Sequence, residues 1–239
     1  MVDLVVVGSV AYDSITTPFG SRDRVLGGSA SYFSMVASFF CKVGLVGVIG
    51  RDLPISLLDP HAARGVNLEG LKIDHERDSF FWQGLYEGDM NSAQTVDVRL
   101  NVLGDFSPVL PEGYRTARYL FLANSHPLTQ MSALTQMTSQ PFACSDSMDL
   151  WINTQRADLL RLLSMVDGFF CNDGEARMLG GEKNLVRAGR SLLETCRQFA
   201  VVKKGEHGAL LFHRDGLVGA PAFPCEGVVD PFPSLLQWP

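Results

Sequence analysis

The strongest constraint on the fold lies between Leu4 and Ile49. Leu4-Val-Val-Val7 is a β-branched run that ends at Gly8-Ser9, and Val43 to Ile49 is a second apolar run of strand length. Between them, after Gly27-Gly28, apolar side chains recur at steps of three and four: Tyr32, Met35, Val36, Phe39 and Phe40. That spacing predicts a helix with Ser29 or Ser31 as its N-cap. Two strands flanking one helix form a βαβ unit, whose strands run parallel through a right-handed crossover. An α/β fold on a mostly parallel sheet follows, with ligands expected at the carboxyl edge of the strands.

The alternation returns further on. Tyr119 to Ala123 reads as a strand, and another apolar segment lies around Leu150-Trp-Ile152. Thr154 is expected to cap a helix that buries Leu159, Leu160, Leu162, Leu163 and Val166. Gly168 to Cys171 reads as a strand, residues 184 to 197 as a helix and Phe199 to Lys203 as the next strand. Residues 70 to 103 differ: Phe80-Phe-Trp82, Leu85-Tyr86 and Thr95 to Leu103 are extended segments separated by Gly and Asn, a small β excursion. No internal repeat or low-complexity tract interrupts residues 1–239, which read as a single domain. The segment Pro231-Phe-Pro-Ser-Leu-Leu-Gln-Trp-Pro239 has neither a helix nor a strand period, where an α/β layer fold usually carries a covering helix.

Composition narrows the function classes. With 46% hydrophobic and 19% charged residues the chain is globular rather than disordered or coiled-coil. A net charge of −6 provides no positive field for a nucleic-acid backbone, although positioned backbone amides still suit a small anion. Five cysteines, at 41, 144, 171, 196 and 225, form no C-x-x-C pair, so a reduced, cytoplasmic setting without disulfides or zinc is expected. The start Met1-Val-Asp-Leu4 lacks a basic region and cleavage site, and no apolar run approaches the ~18 residues of a membrane span.

Four places carry candidate chemistry. Gly27-Gly28 precedes a helix, where absent Cβ atoms admit a ligand to the backbone and the first N–H groups face outward; a turn glycine pair is the plainer reading. Asp13, expected in the loop after the first strand, suits ligand hydroxyls, or is a turn residue. Asn172-Asp-Gly-Glu175 follows a strand and suits a hydrated Mg²⁺ near phosphates, or equally a helix N-terminus with an acidic first turn. Lys203-Lys-Gly-Glu-His-Gly208 joins two strands through a loop whose glycines let backbone meet a nucleotide, or is an ordinary hairpin. His207 has no Ser, Cys or Asp partner placed by sequence, and Cys41 and Cys171 read as core thiols.

In this order, the elements resemble the PfkB carbohydrate kinase family, the ribokinase-like fold. The resemblance runs from Val2 to Asp230: Val7-Gly-Ser-Val-Ala-Tyr-Asp13 is similar to the family's first strand with its sugar-binding aspartate, Gly27-Gly28 to its di-glycine hinge and Gly50-Arg-Asp52 to its G-x-D. Asn172-Asp-Gly-Glu175 matches its N-x-x-E, associated with Mg²⁺ and phosphate, and Val201 to Gly208 its strand and K-x-G-x-x-G loop beside ATP. The resemblance implies a three-layer α/β/α fold whose β excursion at 70–103 is a lid over the sugar, often also a dimer contact. It implies an ATP- and Mg²⁺-dependent kinase acting on a hydroxyl of a sugar or nucleoside. Asp13, Gly27 and Gly28 would hold the acceptor. Asn172, Glu175, Lys203, Gly205 and Gly208 would serve the nucleotide and phosphate, with Glu175 reaching the metal through water.

Two departures matter. After Asp230 the family continues D-T-G-A-G-D, whose amides form the anion hole and whose last aspartate is the base; here the sequence reads Pro231-Phe-Pro-Ser. No catalytic base is therefore assigned, and a truncated or frame-shifted copy with impaired transfer and a partly uncovered sheet is expected. Tyr32 stands where relatives often carry an Asn for sugar contact, leaving the acceptor open. A non-catalytic sugar-binding module is the competing reading. A Rossmann oxidoreductase is disfavoured because G-x-G-x-x-G is absent.

Overall fold

The expected βαβ unit forms. In the computed structural model, which describes residues 2–88 and 93–224, β1 (Leu4–Val7) pairs in parallel with β4 (Val43–Ile49) across α1 (Ser29–Ala37). Every side chain of both strands is buried, as continuous apolar runs in a sheet covered on two faces require. α1 starts one residue before the expected Ser cap could act. Its N-cap is Gly28, no side chain caps it, and Ser31 Oγ instead donates to Gly27 O at 2.8 Å. Met35 is buried, whereas Val36, Phe39 and Phe40 are exposed, the last two beyond the helix end.

Between β1 and α1 the chain makes two strands that the sequence did not announce, β2 (Ala11–Thr17) and β3 (Gly20–Gly27). Past β4 come α2 (Asp59–Ala63), β5 (Asn67–Ile73), β6 (Phe80–Tyr86), β7 (Ala93–Arg99) and β8 (Tyr119–Leu122). The second half runs α3 (Pro127–Thr135), β9 (Phe142–Asp146), α4 (Asp149–Thr154), α5 (Arg156–Leu163), β10 (Gly168–Asn172), α6 (Asp173–Gly180), α7 (Leu185–Leu192), β11 (Phe199–Lys203), β12 (Ala209–His213) and β13 (Gly216–Ala220).

Among the described residues, nine strands form one sheet in the order β13-β12-β11-β10-β9-β8-β1-β4-β5. All its pairings are parallel except the hairpins β11/β12 and β12/β13. A second sheet, β3-β2-β6-β7, pairs antiparallel at both edges and parallel between β2 and β6. The β excursion at 70–103 is thus only half of this smaller sheet. Asn67–Ile73 stays on the main sheet beside β4, and the other two strands come from residues 11–27. Thr154 ends α4 rather than capping the next helix: its Oγ1 donates to Leu150 O at 2.6 Å, and α5 has Gln155 at its N-cap.

The two faces of the main sheet are covered unequally. On one, Val5, Val7, Leu122, Phe169, Val202 and Phe212 pack under α3 to α7. On the other, Leu4, Val6, Leu45 and Phe121 pack under α1 and α2, which shield only the β1–β5 side. Beyond them an open apolar groove of about 400 Å³ runs past Phe33, Phe40, Tyr119, Phe142 and Phe170. Phe40 is 84% exposed and Tyr119 44%.

Candidate active site

The sequence-predicted residues form two groups: Asp13, Gly27 and Gly28 on β2, β3 and the start of α1, and Asn172, Glu175, Lys203, Gly205 and Gly208 around the carboxyl ends of β10 and β11. Asp13 is not in a loop. It lies in β2, 4% exposed, six positions after the last residue of β1. Gly27 sits against it: a Cβ built there would lie 2.1 Å from the Asp13 carboxyl carbon. Gly28, at φ 92°, leaves no room either, since its Cβ would meet Ser9 O at 2.4 Å. The glycine pair is therefore a close approach of two backbones around a buried carboxylate, not a free turn. The outward amides expected there are engaged: Ser29 N donates to Ser9 Oγ at 3.1 Å, and Ala30 N to Ser9 O at 3.1 Å. Burial pushes Asp13 up to about 7, against the opposing pull of the Gly28 amide. The Gly28 amide bonds the Asp13 carboxylate, and no side chain does so among the described residues, which leaves acceptor capacity for a ligand.

At the other end, Asn172 closes β10 and caps α6. Its side chain accepts from Glu175 N at 2.7 Å while Glu175 Oε2 accepts from Asn172 N at 2.7 Å, a reciprocal capping box. The helix-terminus reading of Asn172-Asp-Gly-Glu175 is the one the structure forms, and the same box holds Glu175 beside the end of β10. Glu175 is 7% exposed, and burial pushes it up to about 7; Asp149 and Asp146 add to the rise, while the Asn172 amide and Lys203 oppose it. Parallel pairing sets Lys203 directly beside Asn172. The loop that follows is a tight hairpin, with Gly205 and Gly208 at φ 55° and 83° and Lys204 N donating to Gly208 O at 2.7 Å.

Between these ends lies a group that sequence reasoning missed. Strand β9 ends at Asp146, whose Oδ1 is sealed from solvent without a partner, as is Ser147 Oγ. Burial pushes Asp146 up to about 7, against Lys203 and the Asn124 amide. Gln130 of α3 holds this stretch in place, donating to Leu122 O at 2.7 Å and Asp146 O at 3.0 Å, which staples the ends of β8 and β9. Trp151 Nε1 donates to Asn124 Oδ1 at 3.0 Å from the far side. The available signal was the short run Phe142-Ala-Cys144 ahead of Asp146, too brief to separate from a loop.

The donor set is all oxygen, which suits a hard cation, and an orphaned buried carboxylate oxygen marks where charge is missing. Among the described residues no three His, Cys, Asp or Glu side chains converge on one point. The arrangement therefore fits Mg²⁺ held by one or two carboxylates, water and phosphate, rather than an all-protein cage. Burial raises the thiols of Cys144, Cys171 and Cys196, so none is a nucleophile. Cys225 and Asp230 lie outside the described residues. No described helix is long and apolar enough to cross a membrane.

Comparison with known proteins gives the family and the fold. The family model described as pfkB family carbohydrate kinase matches residues 1–232. A cytidine kinase from Thermococcus kodakarensis is 29% identical over 240 residues, covering 97% of this chain and 84% of the relative. Among solved structures, adenosine kinase from Sinorhizobium meliloti superposes with a TM-score of 0.78 at 17% identity, covering 96% of this chain and 82% of that one. Ribokinase from Cryptococcus neoformans in complex with ADP superposes with a TM-score of 0.75 at 19% identity, covering 95% and 81%.

Proposed function

The chain belongs to the pfkB family of carbohydrate kinases, and we propose that its acceptor is the ribose of a nucleoside, with ATP·Mg²⁺ as phosphoryl donor. The observation that carries this reading is the buried Asp13 carboxylate, walled by the Cβ-free backbone of Gly27 and Gly28 and left without a side-chain partner. A carboxylate in that state accepts hydrogen bonds from neighbouring hydroxyls of a sugar, and burial makes those bonds strong. Kinship with a cytidine kinase supports a nucleoside over a free sugar.

The division of labour follows from the edge. Asp13 orients the acceptor, and the smaller sheet acts as the lid that excludes water from it. Asn172, Lys203, Gly205 and Gly208 face the nucleotide, Lys203 with its charge and the glycines with backbone that a phosphate or base approaches closely. Asp146 and Glu175 would hold Mg²⁺, Glu175 by way of water. Bound Mg²⁺ supplies charge neutralisation of the transferred phosphoryl group. No base is assigned: Pro231-Phe-Pro-Ser stands where the resembled motif carries amides and an aspartate. Absence of a general base slows transfer by ~10²–10⁴-fold.

The test measures ADP release with cytidine, adenosine and ribose, and calorimetric binding of each beside ATP·Mg²⁺. ADP release that depends on a nucleoside supports the proposal. Nucleoside binding without ADP release establishes the second reading, a binding module, which the sequence after Asp230 favours. Absence of binding by any acceptor overturns both.

A further inference from the structure

Among the described residues, only two that are not glycine adopt positive φ, Arg24 at 51° and Asn101 at 46°. Such a conformation costs a side-chain-bearing residue about 1 kcal/mol or more. Both residues grip the same knot. Arg24 Nη2 meets Asp52 Oδ2 at 2.6 Å, and its guanidinium lies 4.0 Å from the centre of the Tyr12 ring. Tyr12 Oη donates to Asp52 O at 3.0 Å. The second oxygen of Asp52, Oδ1, accepts from Ser79 N at 2.7 Å, and Asn101 Nδ2 donates to Ser79 O at 2.8 Å. Gly50 N donates to Ser79 Oγ at 2.8 Å. Asp52 follows the main-sheet strand β4. Tyr12, Arg24, Ser79 and Asn101 belong to, or directly adjoin, the four strands of the smaller sheet. One carboxylate thus ties the roots of that sheet to the body.

The strain at Arg24 has a geometric purpose. Asp13 pairs with Val25 and Ile15 with Arg22, so Ser14 faces two residues, Asp23 and Arg24, in a β-bulge. Ser14 Oγ donates to Asp23 Oδ1 and accepts from Arg24 N. Because strand side chains alternate, closing this bulge would shift the β3 pairing by one residue and change what stands opposite Asp13. Gly27, the residue without which Asp13 has no room, is three positions on.

We propose that Arg24 and Asn101 are positioning residues, which through Asp52 and Ser79 fix the β2/β3 register around Asp13 and hold the smaller sheet to the end of β4, and thereby set acceptor affinity. The inference rests on the acceptor reading of Asp13 for its affinity part only. In the full chain, amide hydrogen exchange is compared for wild type, Arg24→Ala, Arg24→Lys and Asn101→Gly, followed by calorimetric titration with cytidine and with ATP·Mg²⁺. Arg24→Ala is expected to speed exchange of Gly20–Gly27 and Phe80–Tyr86 about tenfold, leaving Leu4–Val7 and Val43–Ile49 unchanged. Cytidine affinity should fall about tenfold and ATP·Mg²⁺ affinity by less than twofold, with Arg24→Lys recovering most of the loss and Asn101→Gly showing about a threefold effect. Unchanged exchange in the smaller sheet, equal acceleration in both sheets, or parallel loss of cytidine and ATP affinity each overturns the proposal. If wild type binds no cytidine, the acceptor reading fails, while the exchange arm still decides the positioning role.

Discussion

Gly27 and Asn172 both sit in short motifs, yet the physical reasons for the two differ. Gly27 is required by Asp13, fourteen positions earlier in the chain, whose carboxylate fills the space a Cβ would take. Asn172 is satisfied three residues away by its own helix, and Gly208 by the hairpin that it closes. The Asp13 end of the edge is therefore a tertiary object with no local explanation. The Asn172–Gly208 end is made of motifs that would fold the same way in a protein with no ligand at all. A motif with a complete local explanation says little about function until its surroundings are known. Here the surroundings are the orphaned Asp146 oxygen and the clustered carboxylates around Lys203.

Substitutions at the two ends sharpen this contrast. The largest effect is expected at Asp13. A hydrogen bond to a charged group contributes about 1.5–3 kcal/mol, so Asp13→Asn or Gly27→Ala should weaken nucleoside binding roughly 10- to 10²-fold while sparing ATP·Mg²⁺, measured by titration calorimetry. Equal loss of both ligands would show that Asp13 supports the fold rather than the acceptor.

Next in size is the metal half. Glu175→Gln keeps an oxygen for the capping box but removes the charge, and should raise the Mg²⁺ concentration needed for half-maximal nucleotide binding about tenfold, as should Asp146→Asn. The double substitution should fall short of the summed single effects, since the two carboxylates interact. Unchanged Mg²⁺ dependence in Glu175→Gln would reduce Asn172-Asp-Gly-Glu175 to a helix cap.

A third test uses pH. Asp13, Asp146 and Glu175 each titrate near 7 in the folded chain, against ordinary values of 3.8, 3.8 and 4.5. The folded state holds these protons where the unfolded state has lost them. Their stabilising contribution is thus complete below about pH 4 and is lost as pH rises through 7. Thermal unfolding should show Asp13→Asn gaining stability over wild type at pH 8 and little at pH 4. Added Mg²⁺ should raise the melting temperature more at pH 8 than at pH 6, because only the ionised carboxylates attract it.

The smallest effect on ligand binding belongs to Gly208, where substitution acts on stability instead. Its φ of 83° and a Cβ that would lie 2.0 Å from Ala220 O make Gly208→Ala strained. A cost of a few kcal/mol corresponds to a fall of roughly 2–4 °C per kcal/mol in a chain of this size. The β12/β13 hairpin should loosen first, seen by hydrogen exchange, with nucleoside binding untouched.

Legibility along the chain followed the reach of the interactions. β1, β4, β10 and β11 are continuous apolar runs because helices or sheet neighbours cover them, and they stood out at once. β3 did not: it is an edge strand, and Gly20-Ser-Arg-Asp-Arg24 faces solvent on both sides, so it carries no alternation. β9 was too short to separate from a loop, and with it Asp146 went unseen. The helix period through Phe40 was real in sequence, but the helix stops at Ala37 and leaves Phe39 and Phe40 exposed.

The sequence by itself determined the parallel α/β order, the family likeness and the motifs that follow β10 and β11, because strand and cap signals are local and β-branched runs have few alternatives. Only the tertiary structure decided that Asp13 is buried in a strand, that the smaller sheet borrows residues 11–27, and that Asp146 joins Glu175 and Lys203. It alone showed Arg24 and Asn101 converging on Asp52 and Ser79. These are meetings of residues far apart in the chain, set by register, burial and backbone approach, and no local pattern encodes them.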